Sequence, residues 1–168
     1  MQKTLRNSLM LSEIQKANLK FKLVGLFQIR MIGFVGAKLV SYNEEKTVIR
    51  IPLNWRTKNH LDSMYFGALA TGADVTGAWI AFDYLARTKA PVSIVFKDIN
   101  ANFLKRADGN VHFTCTDGPE VVKAFKDTIA DGERKNLELT VVATVPEKYQ
   151  DEPVAEFKMT LSMRAKKK

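Results

Sequence analysis

The chain has 168 residues, of which 46% are hydrophobic and 26% are charged. This balance excludes an intrinsically disordered chain and fits a single domain over residues 1–168, with enough length to bury a core. The formal net charge of +8 suits anionic partners such as nucleic acid, a phosphorylated ligand or an acidic membrane. It does not choose among them, because part of it belongs to a basic tail at residues 165–168.

The cysteine content and the apolar runs exclude further kinds of protein and of site. A single cysteine, Cys115, excludes an intramolecular disulfide and a cysteine-based metal site. The apolar stretch at residues 23–37 contains Arg30 and is short for a bilayer span, and charged residues interrupt any signal-like run before it. We therefore expect a cytoplasmic protein without stable membrane insertion.

Residues 1–33 are expected to form an N-terminal helical extension. Apolar side chains recur there at helical spacing with lysines between them, namely Ile14, Ala17, Phe21, Val24, Phe27 and Met31. One interpretation is a helix that packs against the domain. The other is a basic amphipathic helix that lies on a membrane surface. Packing against the domain is the expectation, because amphipathic helices usually bury their apolar face that way.

The later elements come in pairs of strands separated by helices. Alternating patterns predict strands at residues 37–42, 47–53, 93–104, 111–116, 137–145 and 157–163. Helical patterns cover residues 63–86 and 120–130, and Pro91 marks the break after the first of these. The order α-ββ-α-ββ-α-ββ predicts an α+β domain. It should contain an antiparallel sheet of about six strands around a long central helix, with a further helix between strands 4 and 5.

The central helix is rich in small residues: Gly67, Ala68, Ala70, Gly72, Ala73, Gly77, Ala78 and Ala81. Each interior glycine costs about 1 kcal/mol of helix propensity, which a sequence accepts where another backbone must approach closely. The helix should therefore be wrapped tightly by the sheet. Asp74 lies in the middle of this helix, where an unpaired carboxylate is costly.

Residues 59–74 resemble the loop and central helix of hot-dog-fold acyl-CoA thioesterases, especially the phenylacetate-degradation type and a related branch. In those enzymes an asparagine in the loop precedes the helix and an acid follows it by fifteen positions, as Asn59 and Asp74 do here. Residues 103–111 are similar to the corner after the family's third strand. The resemblance covers a hot-dog core at residues 34–164.

The resemblance implies hydrolysis of an acyl-CoA or acyl-carrier thioester, with coenzyme A as part of the substrate and no other cofactor or metal. Asp74 would be the general base or nucleophile, Asn59 would orient water or the carbonyl, and the backbone amides of Phe66 and Gly67 would form the oxyanion hole. Asp74 lies about 10–12 Å along the helix from those amides, so it cannot serve them within one chain. The family places the acid on the partner subunit, which implies a homodimer or dimer of dimers with shared sites.

Several of these residues also have ordinary structural interpretations. Asn59 could be a turn residue, and Asp62 or Ser63 could cap the helix. Tyr65 could line the acyl tunnel or belong to the core. Ser63, Tyr65 and Thr71 are the expected substrate-binding residues, although Thr71 could instead serve helix packing.

Two other functions remain open. One is a non-catalytic module that binds acyl thioesters or fatty acids, because a fold does not guarantee chemistry. The other is a hydroxyacyl-thioester dehydratase, because His60 precedes Asp74 by fourteen positions, the spacing of the histidine and acid in hot-dog dehydratases. A nucleophilic pair of His112 and Cys115 is not expected, because residues three apart on a strand face opposite sides. Only net charge favours nucleic acid, which is not an expected partner.

The residues that would hold the phosphates of coenzyme A are not fixed by the pattern. Lys89, Lys105 and Arg106 are candidates on charge alone. The acyl-chain length and the carrier also stay open.

Overall fold

The computed structural model describes residues 14–166. Residues 14–23 form helix α1, which continues as a π-helical segment at Val24–Gln28. The other helices are α2 (Arg30–Phe34), α3 (Phe66–Thr88), α4 (Gly118–Asp131) and α5 (Pro146–Tyr149). The strands are β1 (Lys38–Tyr42), β2 (Thr47–Ile51), β3 (Val92–Phe103), β4 (Val111–Cys115), β5 (Lys135–Thr144) and β6 (Pro153–Ala165).

The six strands form one antiparallel sheet in the order β1-β2-β4-β5-β6-β3. Strands β5 and β6 pair over almost their whole length, from Lys135 opposite Met163 to Thr144 opposite Pro153. Strand β3 pairs with β6 on one side and forms an edge of the sheet. The sheet wraps α3, which is the hot-dog architecture expected from the sequence.

The glycines of α3 lie where the sheet comes closest to the helix. A Cβ atom at Gly72 would lie 2.3 Å from the ring of Phe113 on β4. A Cβ atom at Gly77 would lie 3.0 Å from the methyl carbon of Met159 on β6. Both partners are buried in the core. The close approach predicted from the small residues is therefore present, and the lost helix propensity is exchanged for contact between helix and sheet.

The start of α3 differs from the sequence prediction. The helix begins at Phe66 and ends at Thr88, where residues 63–86 were expected. Its N-cap is Tyr65, whose side chain makes no capping hydrogen bond, so neither Asp62 nor Ser63 is the cap. The reason is local, because Ser63 bonds to Asn59 and Asp62 has a φ of 56°, which keeps both residues in the preceding loop.

The N-terminal extension is helical but folds back on itself. The chain turns at Ile29 between the π-helical segment and α2, and Gly25 and Gly33 meet there at backbone distance. Phe21 is buried as predicted, whereas Phe27 is 73% exposed and belongs to no core cluster. The periodic pattern failed after Val24 because a π-helical turn rotates the residues that follow it. The predicted extension also includes residues 1–13, which lie outside the described part of the chain.

Helix α4 lies between β4 and β5, as predicted, and buries Val121 and Phe125 against the far end of α3. The ring of Phe125 stacks on Tyr84 of α3 at a centroid distance of 4.9 Å. No helix within residues 14–166 is long and apolar enough to cross a membrane.

Candidate active site

A pocket of about 330 Å³ opens at the N-terminus of α3, and we call it the amide pocket. The polar and aromatic residues that line it come from the loop before α3 and from the corner after β3: Asn59, His60, Ser63, Tyr65, Phe66, Phe103, Lys105 and Arg106. The elements are joined by a backbone hydrogen bond of 2.8 Å from Met64 N–H to the carbonyl of Ala107. The fold thus brings most of the sequence-predicted site residues to one place.

The first turn of α3 has two free backbone donors, and Phe66, which carries one of them, lines this pocket. The N–H groups of Phe66 and Gly67 have no acceptor among the described residues, as is usual in the first turn of a helix. The ring of Tyr65 folds over Gly67, where a Cβ atom would lie only 2.5 Å from it. The positive end of the helix dipole adds to the two N–H groups, so an anionic oxygen would be stabilised here.

The side chain of Asn59 organises the loop that precedes this helix. Its Oδ1 accepts hydrogen bonds from the backbone N–H of Leu61 at 2.9 Å and of Ser63 at 3.2 Å. The hydroxyl of Ser63 donates to the same oxygen at 3.2 Å. The oxygen is therefore fully used in a turn, and only the Nδ2 amide group of Asn59 is left to orient water or a carbonyl.

The charges around the amide pocket are mostly positive or neutralised. The carboxylate of Asp62 lies 2.6 Å from Lys58 Nζ, and this contact lowers the pKa of Asp62 below its usual range. Lys105 pairs with Glu152 and lies over the ring of Tyr149. Arg106 forms no ion pair with a described residue. The anion expected in this pocket would meet little repulsion.

Asp74 lines a second pocket, of about 160 Å³, which we call the carboxylate pocket. Its other walls are apolar and come from three parts of the chain: Val24, Ile29 and Ile32 of the extension, Val75, Ala78, Trp79 and Phe82 of α3, and Ile94, Val95, Phe96 and Leu161 of the sheet. The carboxylate has no hydrogen bond or ion pair with a described residue, and burial raises the pKa of Asp74 above its usual range. Perturbed carboxyl groups of this kind cluster at functional sites.

Trp79 and the extension are parts of this pocket that sequence reasoning missed. Trp79 is 4% exposed, and its buried Nε1–H has no hydrogen-bond acceptor in the described structure. It lies five residues beyond Asp74 on α3 and packs edge-on against Phe21 of α1 at a centroid distance of 4.9 Å. The five-residue spacing between Asp74 and Trp79 was visible in the sequence, but nothing indicated that the extension would close the same pocket.

Within one chain, the predicted catalytic residues are divided between the two pockets. Asp74 lies eight residues after Phe66, about 12 Å along the helix axis at 1.5 Å per residue. His60 is exposed and lines the amide pocket, whereas Asp74 lines the other, so the dehydratase pair is not assembled in a single chain. Thr71 lines neither pocket, and its hydroxyl donates to the carbonyl of Gly67 at 2.8 Å, in line with a role in the helix itself.

The remaining candidates lie elsewhere in the fold. Lys89 follows the C-terminus of α3 and is at the opposite end of that helix from the amide pocket. The side chain of Cys115 is buried on the core face of β4, whereas His112 is half-buried on the other face. The two residues therefore form no pair, as predicted. Burial raises the pKa of the Cys115 thiol to about 12. Among residues 14–166 no group of three or more His, Cys, Asp or Glu is placed to hold a metal ion.

Comparisons with known proteins agree with the architecture. Residues 21–163 match the sequence model of a family described as a domain of unknown function, DUF4442. None of the curated proteins matches the chain in sequence.

Solved structures give the same fold at low sequence identity. A protein of unknown function from Chlorobaculum tepidum TLS is 14% identical, with a TM-score of 0.75 over 90% of this chain and 96% of that chain. A Pseudomonas aeruginosa protein described as a probable thioesterase is 22% identical, with a TM-score of 0.67 over 88% and 94%. A thioesterase from Haemophilus influenzae is 17% identical, with a TM-score of 0.62 over 85% and 88%. At these identities the likeness establishes the hot-dog fold.

Proposed function

We propose that this chain, which belongs to the DUF4442 family, hydrolyses an acyl thioester to a free acid and a thiol, with acyl-CoA as the expected substrate. One observation carries the proposal. A single helix has free amides at its N-terminus, where Phe66 lines one pocket, and an unpaired, half-buried carboxylate that lines another. These are the two groups that thioester hydrolysis requires, and the hot-dog relatives named as thioesterases support the same reaction.

The proposed reaction assigns one role to each group. Asp74 takes a proton from water, whose oxygen attacks the carbonyl carbon of the thioester. The amides of Phe66 and Gly67 stabilise the negative charge that develops on the carbonyl oxygen. The C–S bond then breaks, and the sulfur leaves with the proton that Asp74 had taken. Asn59 would hold the water or the carbonyl through its Nδ2 amide group.

The separation of the two pockets leads us to propose a shared site in a homodimer. Strand β3 is twelve residues long and pairs with described residues on one side only, and Val95 and Ile99 on it are exposed. Such an edge is suited to pairing with a second copy. Val95 also lines the carboxylate pocket, so a copy paired along β3 would lie beside Asp74. In a two-fold arrangement the partner's α3 would run antiparallel and bring its N-terminal amides to this carboxylate.

The test is release of free thiol from short-, medium- and long-chain acyl-CoA by the wild type and by Asp74→Asn. The substitution keeps the size of the side chain but removes the base, so activity should fall by about a hundredfold or more. Asp127→Asn is the matched control, because Asp127 lies on α4 in a surface pair with Lys123. It should leave the rate unchanged.

Two results would contradict the proposal. If the wild type releases no thiol at any chain length but still binds acyl-CoA, the domain is a non-catalytic binding module. If Asp74→Asn is as active as the wild type, the carboxylate has no part in the reaction.

A further inference from the structure

The N-terminal extension has a second apolar face that nothing in the described chain covers. Phe21 and Ile32 point inward and are 1% and 2% exposed. Six large apolar side chains of the same segment are between 47% and 73% exposed: Leu19, Leu23, Leu26, Phe27, Met31 and Phe34. We call them the outer face. The first four lie on α1 and the π-helical segment and the last two on α2, so this apolar strip lies on both sides of the turn at Ile29.

The charged side chains in this part of the sequence have one sign. Residues 14–42 contain five basic side chains and no acidic one. The five are all exposed: Lys16, Lys20, Lys22, Arg30 and Lys38. None of them forms an ion pair with a described residue. An exposed apolar strip flanked by unpaired basic residues is therefore a property of this segment.

We propose that the outer face docks the protein peripherally onto an anionic membrane surface. Apolar side chains of an interfacial helix enter the boundary between headgroups and acyl chains, and basic side chains beside them meet anionic headgroups. Leu26 and Phe27 shortly precede the turn at Ile29 and are the most exposed of the six, at 63% and 73%, so they would enter first. This mode of binding needs no membrane-spanning helix.

Other occupants fit the segment less well. Nucleic acid would be attracted by the five basic residues but offers no apolar surface for Leu26, Phe27 and Phe34. A second copy meeting this face across a two-fold axis would bury the apolar strip, but it would also bring two sets of five like charges together. An anionic lipid surface satisfies the apolar side chains and the charges at once.

The inner side of the same segment suggests what the docking is for, and this step rests on the proposed function. Val24, Ile29 and Ile32 line the carboxylate pocket, while Leu26, Phe27 and Met31 face outward. The segment would thus lie between the bilayer and the pocket, where an acyl chain held in the membrane could enter.

The experiment is flotation of the full-length protein with vesicles of phosphatidylcholine alone and with vesicles that also contain phosphatidylglycerol. The wild type should float with the anionic vesicles and release from them as salt rises. Leu26→Ser with Phe27→Ser should weaken binding by at least about tenfold. Lys20→Gln with Lys22→Gln should weaken it by about fivefold for each charge removed.

Controls separate docking from loss of structure or of activity. Ile129→Ser and Lys126→Gln make the matched changes on the exposed side of α4 and should not alter flotation. Thiol release from a short-chain substrate in solution should be unchanged in the Leu26 and Phe27 variant. A failure of hydrolysis in the wild type would leave this binding test intact.

Three outcomes would overturn the proposal. The first is no flotation of the wild type with anionic vesicles. The second is flotation that the Leu26 and Phe27 variant retains, which would indicate charge alone. The third is a smaller assembly of that variant by light scattering, which would identify the outer face as a contact between copies.

Discussion

Asp74 differs from the other acidic side chain in the interior of α3. Asp83 accepts a hydrogen bond from Tyr42 at 2.7 Å and pairs with Arg87 at 2.8 Å, so its charge is compensated. Asp74 is half-buried among apolar neighbours and has no such partner in the described structure. A charge in this position destabilises the fold, and its presence is best explained by chemistry.

This burial predicts how the stability of the protein depends on pH. Because the pKa of Asp74 is raised above 3.8 in the folded chain, the folded state holds that proton more tightly than the unfolded state does. The wild type should therefore lose stability relative to Asp74→Asn as pH rises above the ordinary range of aspartate. Thermal unfolding of both proteins should show the variant more stable at neutral pH, with the difference shrinking toward pH 4. A difference that does not change with pH would mean that Asp74 is solvated.

The amide of Phe66 can be removed without removing the helix. Phe66 is the first residue of α3, and Tyr65 before it is extended with a ψ of 138°, a conformation that proline accepts in the residue preceding it. Phe66→Pro should therefore fold normally and lose about a hundredfold in thiol release through the missing N–H donor. Phe66→Ala keeps the N–H group and should retain more of the thiol-releasing activity than Phe66→Pro does. Equal losses in the two variants would assign the effect to the side chain.

For individual residues, the sequence predicted which ones lie together but not which hydrogen bonds they form. Asn59, His60, Ser63, Tyr65 and Phe66 lie around one pocket because they follow one another in a single loop and helix start. The use of Asn59 Oδ1 in a turn depends on the loop conformation, which includes the positive φ of Asp62. The Nε1–H of Trp79 has no acceptor in the described structure, and its ring packs against Phe21 of α1. The sequence around Trp79 does not indicate this contact, because Phe21 lies far away along the chain.

Helix α3 is the element that the sequence predicted best, because its composition reflects a physical constraint. Gly72 lies against Phe113, which is completely buried, and Thr76 donates to the carbonyl of Gly72 at 2.6 Å. The glycine is needed for the approach of β4, not for backbone conformation. The same constraint fixes how close helix and sheet can come over the middle of the fold.

Gly72→Ala tests this constraint directly. In an exposed helix the change would stabilise by about 1 kcal/mol. Here the added methyl would overlap the ring of Phe113, so a net loss of about 1–3 kcal/mol in the free energy of unfolding is expected. Chemical denaturation measures it. With Phe113→Leu in the background the loss should be smaller, and an unchanged loss would show that the ring is not the obstacle.

The N-terminal extension shows where element prediction stops. The apolar spacing correctly indicated a helix and placed Phe21 in the core. It could not indicate the π-helical turn at Val24–Gln28 or the reversal at Ile29, because both depend on the close packing of Gly25 against Gly33. The consequence is that Phe27 and Met31 are exposed rather than packed.

At the scale of the whole molecule, the residues of the proposed site are divided between two pockets of the described chain. Phe66 and Asp74 line separate pockets and lie about 12 Å apart along one helix. The free edge of β3 passes beside the carboxylate pocket through Val95. The element order and the length of α3 could be predicted from the sequence, whereas the pairing of chains could only be inferred from the resemblance, because no residue pattern encodes a partner's position.

The most direct test of the shared site is a heterodimer of two inactive chains. Asp74→Asn and Phe66→Pro are co-expressed with different affinity tags, and the mixed dimer is isolated by both tags. In a shared site, Asp74 of one chain meets the intact Phe66 amide of the other, so one of the two sites is restored. We predict thiol release by the mixed dimer at about half the wild-type rate, although each parent homodimer is nearly inactive. A mixed dimer no more active than its parents, or a wild-type protein that is a strict monomer by light scattering, would contradict the shared site.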